Sequence, residues 1–367
     1  MSGPLTGLRV VELQGQGPGP FGAMILADMG CDVVCVDRPS ERRQRDKPAG
    51  NPMMRGKRSV VADLKTAEGI DAVLALVAEA DVFIDPFRPG VCERLGLGPD
   101  ELCATNPGLI YTRMTGWGQN GPWAQAAGHD INYLALSGAL DMIGSEGLPP
   151  QIPVNLVADF AAGGQLLALG VAAAAYERTR SGHGQVIDVA MVDGSAQLVG
   201  PYFGARESGF WGPRGTNHLD GAAPFYGVYE TADRQWLSVG AIEPQFHAAF
   251  YRGLGIDEPT QMDATSWPAG KQVVAERIRQ KSRDEWMAIF DGAEACVAPV
   301  LAPTELPNHP HTAARATTIR VAGVLQPAPA PRFSRTVSEA GTPCHPGAHE
   351  IVDVIGEWTA TSSSTDR

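Results

Sequence analysis

A histidine and an aspartate thirty positions apart each stand where a loop runs into an apolar segment. His129 lies in Gly128-His129-Asp130-Ile131-Asn132-Tyr133, and Asp159 closes Val154-Asn155-Leu156-Val157-Ala158-Asp159. Imidazole and carboxyl groups both carry protons when their surroundings hold them near the working pH, so two such groups could flank one carbon and move a proton off it and back. Each residue also has a plainer explanation. Most loop histidines carry no catalysis, and an aspartate at a helix start is accounted for by capping alone. Spacing does not choose between these readings.

The elements that must position the two residues follow an alternating pattern. Leu8 to Leu13 reads as a buried strand, Gly15-Gln16-Gly17-Pro18-Gly19-Pro20 as a tight turn, Phe21 to Met29 as a helix and Asp32 to Asp37 as a second strand. Further strands are expected at 59–64, 81–87, 109–115 and 185–189, with a helix over 66–80. This order begins a doubly wound α/β sheet. Asp130 is expected to cap a helix to Ile143, Asp159 to cap one from Phe160 to Arg178, and a further helix is expected from Asp193 to Gly209. The glycine turn invites a dinucleotide reading, but Pro20 stands at the third glycine of G-x-G-x-x-G and Pro18 removes an amide that would cradle phosphate.

The pattern changes near residue 210. A Gly- and Asn-rich connection leads to a hairpin over 225–241, helices from Glu243 and Lys271, a capping box at Ser282 to Glu285 and a short strand from Cys296, which together read as a smaller α+β domain. The sheet and its return at the C-terminus give a large domain over 1–209 and 325–367. The linkers are placed at 210–224 and 317–324, around a small domain over 225–316.

Composition narrows the function classes. The chain has 367 residues, 44% hydrophobic and 19% charged, as expected of a globular protein with a large core. A net charge of -12 argues against nucleic acid, because no basic excess exists to neutralise phosphates. Six irregularly spaced cysteines point to reduced thiols in a cytoplasmic setting. No signal-like start is evident, and the apolar run Leu166 to Tyr176 is too short for a membrane span, so no membrane partner is expected. His309-Pro310-His311 is read as a loop, and no metal is expected. Arg38, Lys65, Arg88 and Arg94 fall at or just after the expected strand ends, where an open parallel sheet binds ligands. Such separated cations would suit a ligand with several phosphates, or they are solvated surface charges.

Several motifs carry a specific resemblance. Leu5-Thr6-Gly7-Leu8-Arg9-Val10-Val11-Glu12-Leu13, Val36-Asp37-Arg38-Pro39, Ala62-Asp63-Leu64-Lys65 and Phe87-Arg88-Pro89-Gly90-Val91 carry its first part. Arg113-Met114-Thr115-Gly116-Trp117-Gly118-Gln119, Gly128-His129-Asp130, Asp159-Phe160, Ala241-Ile242-Glu243-Pro244 and Pro329-Ala330-Pro331-Arg332-Phe333 complete it, over nearly the whole chain. The chain resembles the family III CoA-transferases (CaiB/BaiF), and within them the branch that racemises α-methylacyl-CoA thioesters. The stretch from Ser40 to Asn51 departs from the pattern.

The resemblance implies a Rossmann-like large domain and a small domain joined by long linkers, with two subunits threaded as interlocked rings. It implies that His129 and Asp159 are the acid/base pair, that Glu243 supports His129, and that Arg38, Ala62, Lys65, Phe87, Arg88 and Arg94 contact CoA. No cofactor is implied beyond the CoA moiety of the substrate. The expected reaction is inversion of the α-carbon of a 2-methylacyl-CoA through an enolate, with oxyanion donors sought among the backbone amides after Asp159. The alternative is CoA transfer between carboxylic acids, with Asp159 as nucleophile. A non-catalytic acyl-CoA binder is a third reading, opposed by the presence of His129, Asp159 and Glu243 together. Met142, Ile143, Met191, Phe203 and Trp211 could line an acyl channel or belong to the core.

Overall fold

The computed structural model describes residues 2–40 and 50–365. They form two compact units, one of Met1–Ser137, Val154–Leu198 and Pro310–Arg367, the other of Gly138–Pro153 and Val199–His309. The expected bounds differ from these. The segment 138–153 and the chain from Val199 group with the second unit, and the expected return linker overlaps a hairpin, β10 (Thr318–Val321) with β11 (Val324–Pro327).

The first unit is built on six parallel strands: β1 (Arg9–Leu13), β2 (Asp32–Asp37), β3 (Lys57–Val61), β4 (Val82–Asp85), β5 (Ile110–Thr115) and β6 (Val186–Ala190). Their order is β3-β2-β1-β4-β5-β6. This is the doubly wound arrangement, in which the chain reverses direction across the sheet between β1 and β4 and leaves a crevice at the strand ends. Val10, Val11, Val33, Val34, Phe83 and Ile84 are fully buried, as strands covered on both faces require.

Five helices matter to the site: α1 (Pro18–Asp28), α2 (Ala67–Ala78), α5 (Asp130–Ser137), α6 (Leu166–Ser181) and α7 (Met191–Leu198), with α3 (Val91–Arg94) and α4 (Pro99–Thr105) between α2 and β5. α1 begins three residues before the expected start because Pro18 and Pro20 occupy positions where a missing N–H costs nothing. α5 is shorter than expected and ends before Gly138, whose φ of 84° leaves the helical region. The expected 193–209 helix is two, α7 and α8 (Gly200–Glu207), interrupted at Val199 just before Pro201. The terminal helix α13 (Ile351–Thr365) returns to the first unit, where Val354 and Trp358 join the core on the α2 side and the Trp358 indole donates to Asp32 at 2.7 Å.

A π-helical segment, Leu156–Gln165, runs directly into α6. The resulting helix of 26 residues has a window of mean hydropathy 1.6, so by length and composition it is long and apolar enough to cross a membrane, contrary to the shorter run expected. Its glycines have a packing role within the unit. An added Cβ at Gly164 would meet Phe21 at 2.7 Å, and one at Gly22 would meet the Gly164 carbonyl at 2.7 Å.

The second unit has a three-stranded antiparallel sheet, β7 (Tyr226–Glu230), β8 (Trp236–Gly240) and β9 (Val297–Pro299). Helices α9 (Pro244–Leu254), α10 (Trp267–Ile278) and α11 (Arg283–Phe290) enclose a core around Phe225, Phe250 and Trp286. The Ser282–Glu285 capping box forms as expected. Back in the first unit, α12 (Pro310–Ala314) places His311 in a short helix where a loop was expected.

Candidate active site

The loops after β1, β4 and β5 and the starts of α5 and the π-helical segment enclose a cleft of about 430 Å³ at the switch point of the sheet. His129 and Asp159 both line it, so the fold brings together the two residues that spacing alone left ambiguous.

Asp159 is placed by close helix packing. Gly22, Gly163 and Gly164 remove the side chains that would hold α1 away from the π-helical segment, and at Gly163 an added Cβ would meet Pro18 at 2.9 Å. The start of α1 is thereby drawn against Asp159. Gly17, with φ 66°, is so near that a Cβ there would lie 3.1 Å from Asp159 Oδ2. The Asn155 side-chain amide donates to the same oxygen at 3.1 Å from one turn earlier.

Asp159 is not a helix cap. The helix starts at Leu156, so the amides that follow Asp159 lie inside it and not at its open end. The amides of Ala158 and Asp159 themselves donate to Asp130 Oδ2, each at 2.8 Å. Asp130 therefore caps the second helix start and not its own, which also corrects the expected oxyanion donors. Burial pushes the Asp130 carboxyl above its ordinary value, against the pull of the Asp159 amide, and the charge of Asp159 adds to the rise.

His129 is exposed to the cleft, and its backbone is held on both sides. Its N–H donates to Asn132 Oδ1 at 3.1 Å, and the Tyr133 hydroxyl donates to the carbonyl of Gly128 at 2.5 Å. Gly128 and Gly116 must be glycine because Tyr133 lies against both, 2.7 and 2.1 Å from where a Cβ would stand. Trp117 packs edge-on against Tyr133 with ring centroids 4.8 Å apart. The open amides of the first turn of α5, at Asp130 and Ile131, stand beside His129.

A second cleft of about 530 Å³ opens at the ends of β1, β2 and β3 and is lined by Arg38, Ala62, Lys65 and Phe87. Phe87 also lines the first cleft, so the residue lies where the two meet. Arg88 lines the first cleft and not the second. Arg94 ends α3 instead of following a strand, and it lines neither. The unaligned residues 41–49 lie outside the described residues. Of the five candidate channel residues, Met191 lines the first cleft; Met142, Ile143, Phe203 and Trp211 belong to the second unit, where Trp211 is buried and Phe203 exposed. Glu243 also belongs to the second unit, as the exposed N-cap of α9.

Three residues of the site were missed by pattern reading: Asn155, Asp130 as a partner of Asp159, and Gly17. The four-residue spacing of Asn155 and Asp159 was the one available signal, since it places both on one helix face. The other two depend on how separate helices pack.

Comparisons with known proteins place the chain in a family. Residues 5–349 match the model of CoA-transferase family III. The mouse protein named alpha-methylacyl-CoA racemase is 47% identical over 360 residues, 96% of this chain and 93% of the mouse chain. Its human counterpart is 48% identical over 337 residues, 90% of this chain and 87% of the human one. A CaiB/BaiF family protein from Brucella suis, solved by crystallography, superposes with a TM-score of 0.83 at 29% identity and covers 98% of this chain and all 100% of its own. The chain belongs to CoA-transferase family III.

Proposed function

We propose that this protein is an α-methylacyl-CoA racemase, which inverts the α-carbon of 2-methylacyl-CoA thioesters. The observation that carries the reading is the convergence of His129 and Asp159 on one cleft at the sheet's switch point. It is supported by the mouse and human relatives, which bear that name over nearly the full chain.

The α-proton of a thioester is weakly acidic, and inversion needs a base on one face and an acid on the other. In one direction neutral His129 takes the α-proton and protonated Asp159 returns one. The reverse direction starts from protonated His129 and ionised Asp159. The enolate oxygen formed between the two steps needs donors fixed in advance, and the open first-turn amides of α5 beside His129 suit that need. Asn155 holds the Asp159 carboxyl in place. Glu243 keeps the role that the resemblance assigns it, support of His129.

The CoA moiety is proposed to occupy the second cleft, with Arg38 and Lys65 facing its phosphates and Ala62 and Phe87 its apolar parts. Arg88 and Arg94 remain proposed CoA contacts. No cofactor besides the substrate's own CoA is proposed. The assembly is proposed to be an interlocked homodimer. A cytoplasmic setting is supported by six free cysteines, with Cys31, Cys35 and Cys92 buried.

The test is NMR of one epimer of a 2-methylacyl-CoA in D2O with no other acid present. Deuterium at the α-carbon with growth of the other epimer is the expected result, and His129→Ala should lose epimer interconversion by about 10²–10⁴-fold while still binding the ester. Turnover that begins only when a free carboxylic acid is added would instead assign CoA transfer through Asp159.

A further inference from the structure

The side chain of Asp130 joins the two segments that carry the proposed proton carriers. Asp130 follows His129 in the chain, and its Oδ2 accepts the N–H groups of Ala158 and of Asp159 itself, both at 2.8 Å. The residue is 5% exposed, and its second oxygen, Oδ1, is buried with no hydrogen-bond partner among the described residues. Capping two amides does not call for a charge, because serine, threonine or asparagine can accept such bonds. A buried carboxylate with one oxygen unmatched is a costly way to cap, and one that needs a second reason.

The second reason is Asp159. A negative charge beside a carboxyl favours its proton-bearing form, and a racemase needs that form in one of its two directions. α5 presents Asp130 and Tyr133, and His129 and Arg88 line the same cleft. α1 presents Gly17, Pro18 and Phe21, none of which titrates. α7 presents Met191 and Gly194, while its Asp193 is exposed.

We propose that Asp130 is a positioning residue that fixes the gap between His129 and Asp159 and whose charge helps Asp159 hold the proton it returns to the α-carbon. The inference rests on the two-proton reading above. Its positioning component is carried by the two amide bonds to Asp130 Oδ2, which tie the residue after His129 to the backbone of Asp159.

The experiment compares the full-length protein with Asp130→Asn and Asp130→Ala, using 2-methylacyl-CoA in D2O across pH. Asparagine keeps an acceptor and removes the charge. Taking the epimer whose proton goes to Asp159, the acidic limb of kcat/KM should move to lower pH by about half a unit to one unit in Asp130→Asn, with KM within about twofold. Asp130→Ala should keep a similar KM and lower kcat by about a hundredfold, since both amide bonds are lost. Wild-type kcat with an unmoved limb in Asp130→Asn overturns the inference. Where Asp130→Asn fails to fold, Asp130→Ser replaces it with the same readouts, and loss of fold in both assigns Asp130 a structural role alone and overturns it too. Absence of exchange in the wild type overturns the racemase reading and this inference together; exchange with an unmoved limb overturns this inference only.

Discussion

Asn155 Nδ2 donates to Asp159 Oδ2 across 3.1 Å, from the N-cap position one turn earlier. The bond fixes the rotamer of Asp159. A hydrogen bond to a charged group contributes about 1.5–3 kcal/mol, so Asn155→Ala should lower kcat for racemisation by about ten- to a hundredfold. The CoA cleft is untouched, so KM should hold. Steady-state rates from the α-deuterium assay check both, and a loss confined to KM would show that Asn155 serves binding instead.

Gly17 meets Asp159 from the other side. Its φ of 66° is left-handed, and an added Cβ would stand 3.1 Å from Asp159 Oδ2. Gly17→Ala should therefore act twice. It should cost about 1 kcal/mol or more in backbone strain, and it should displace the carboxylate and lower kcat. Thermal melting reads the first effect and turnover the second; unchanged turnover would place Asp159's working position away from Gly17.

Beneath the same loop, Lys57 and Glu12 form a fully buried ion pair, with Nζ 2.6 Å from Oε2 and 2.9 Å from the carbonyl of Pro20. The pair ties β1 and β3 to the start of α1. Lys57→Met strands a buried carboxylate and should destabilise the first unit by about 3–5 kcal/mol. The double variant Glu12→Leu/Lys57→Met should recover most of that. Urea unfolding of the three proteins tests it, and equal losses in single and double variants would contradict it.

Asp85 closes the turn that carries Phe87 and Arg88. Its Oδ1 accepts the Phe87 N–H at 2.9 Å, and its Oδ2 the Tyr111 hydroxyl at 3.1 Å. Burial raises its carboxyl above the ordinary 3.8, only partly offset by the Phe87 and other hydrogen bonds. A carboxyl raised on folding contributes its stability fully below the unfolded value and loses it as pH rises through the folded value. Asp85→Asn lacks this loss. Relative to wild type, its urea midpoint should therefore improve as pH rises from about 3.8 upward and then level off. A gap that stays constant with pH would show that Asp85 titrates as an ordinary surface carboxyl.

The sheet was legible because its strands carry their own signal. Val10-Val11 and Val33-Val34 are apolar runs bounded by turns, and such runs fit a strand covered on both faces. The order around β1 and β4, and so the location of the crevice, follows from right-handed crossovers between such strands. The Ser282–Glu285 capping box was legible for a similar reason, since its partners lie three residues apart. Helix ends were less so. Asp159 and Asp130 have the residue type of caps, but type does not say which amides a carboxylate will meet.

The sequence by itself determined the alternating α/β order, the polar residues His129 and Asp159 at loop-to-helix junctions and the basic residues near strand ends. Through its motifs it also determined the family. These are local or additive properties, readable from residue type and spacing. Only the tertiary structure decided that Asp130 bonds the amide of Asp159, that Gly17 lies against its carboxylate, and that Arg94 lies outside both clefts. Each depends on how closely two helices approach or which way a short helix turns. For Gly17 and Asp159 that approach is set by Gly22, Gly163 and Gly164, whose missing side chains let α1 and the π-helical segment meet across about 140 residues of intervening chain.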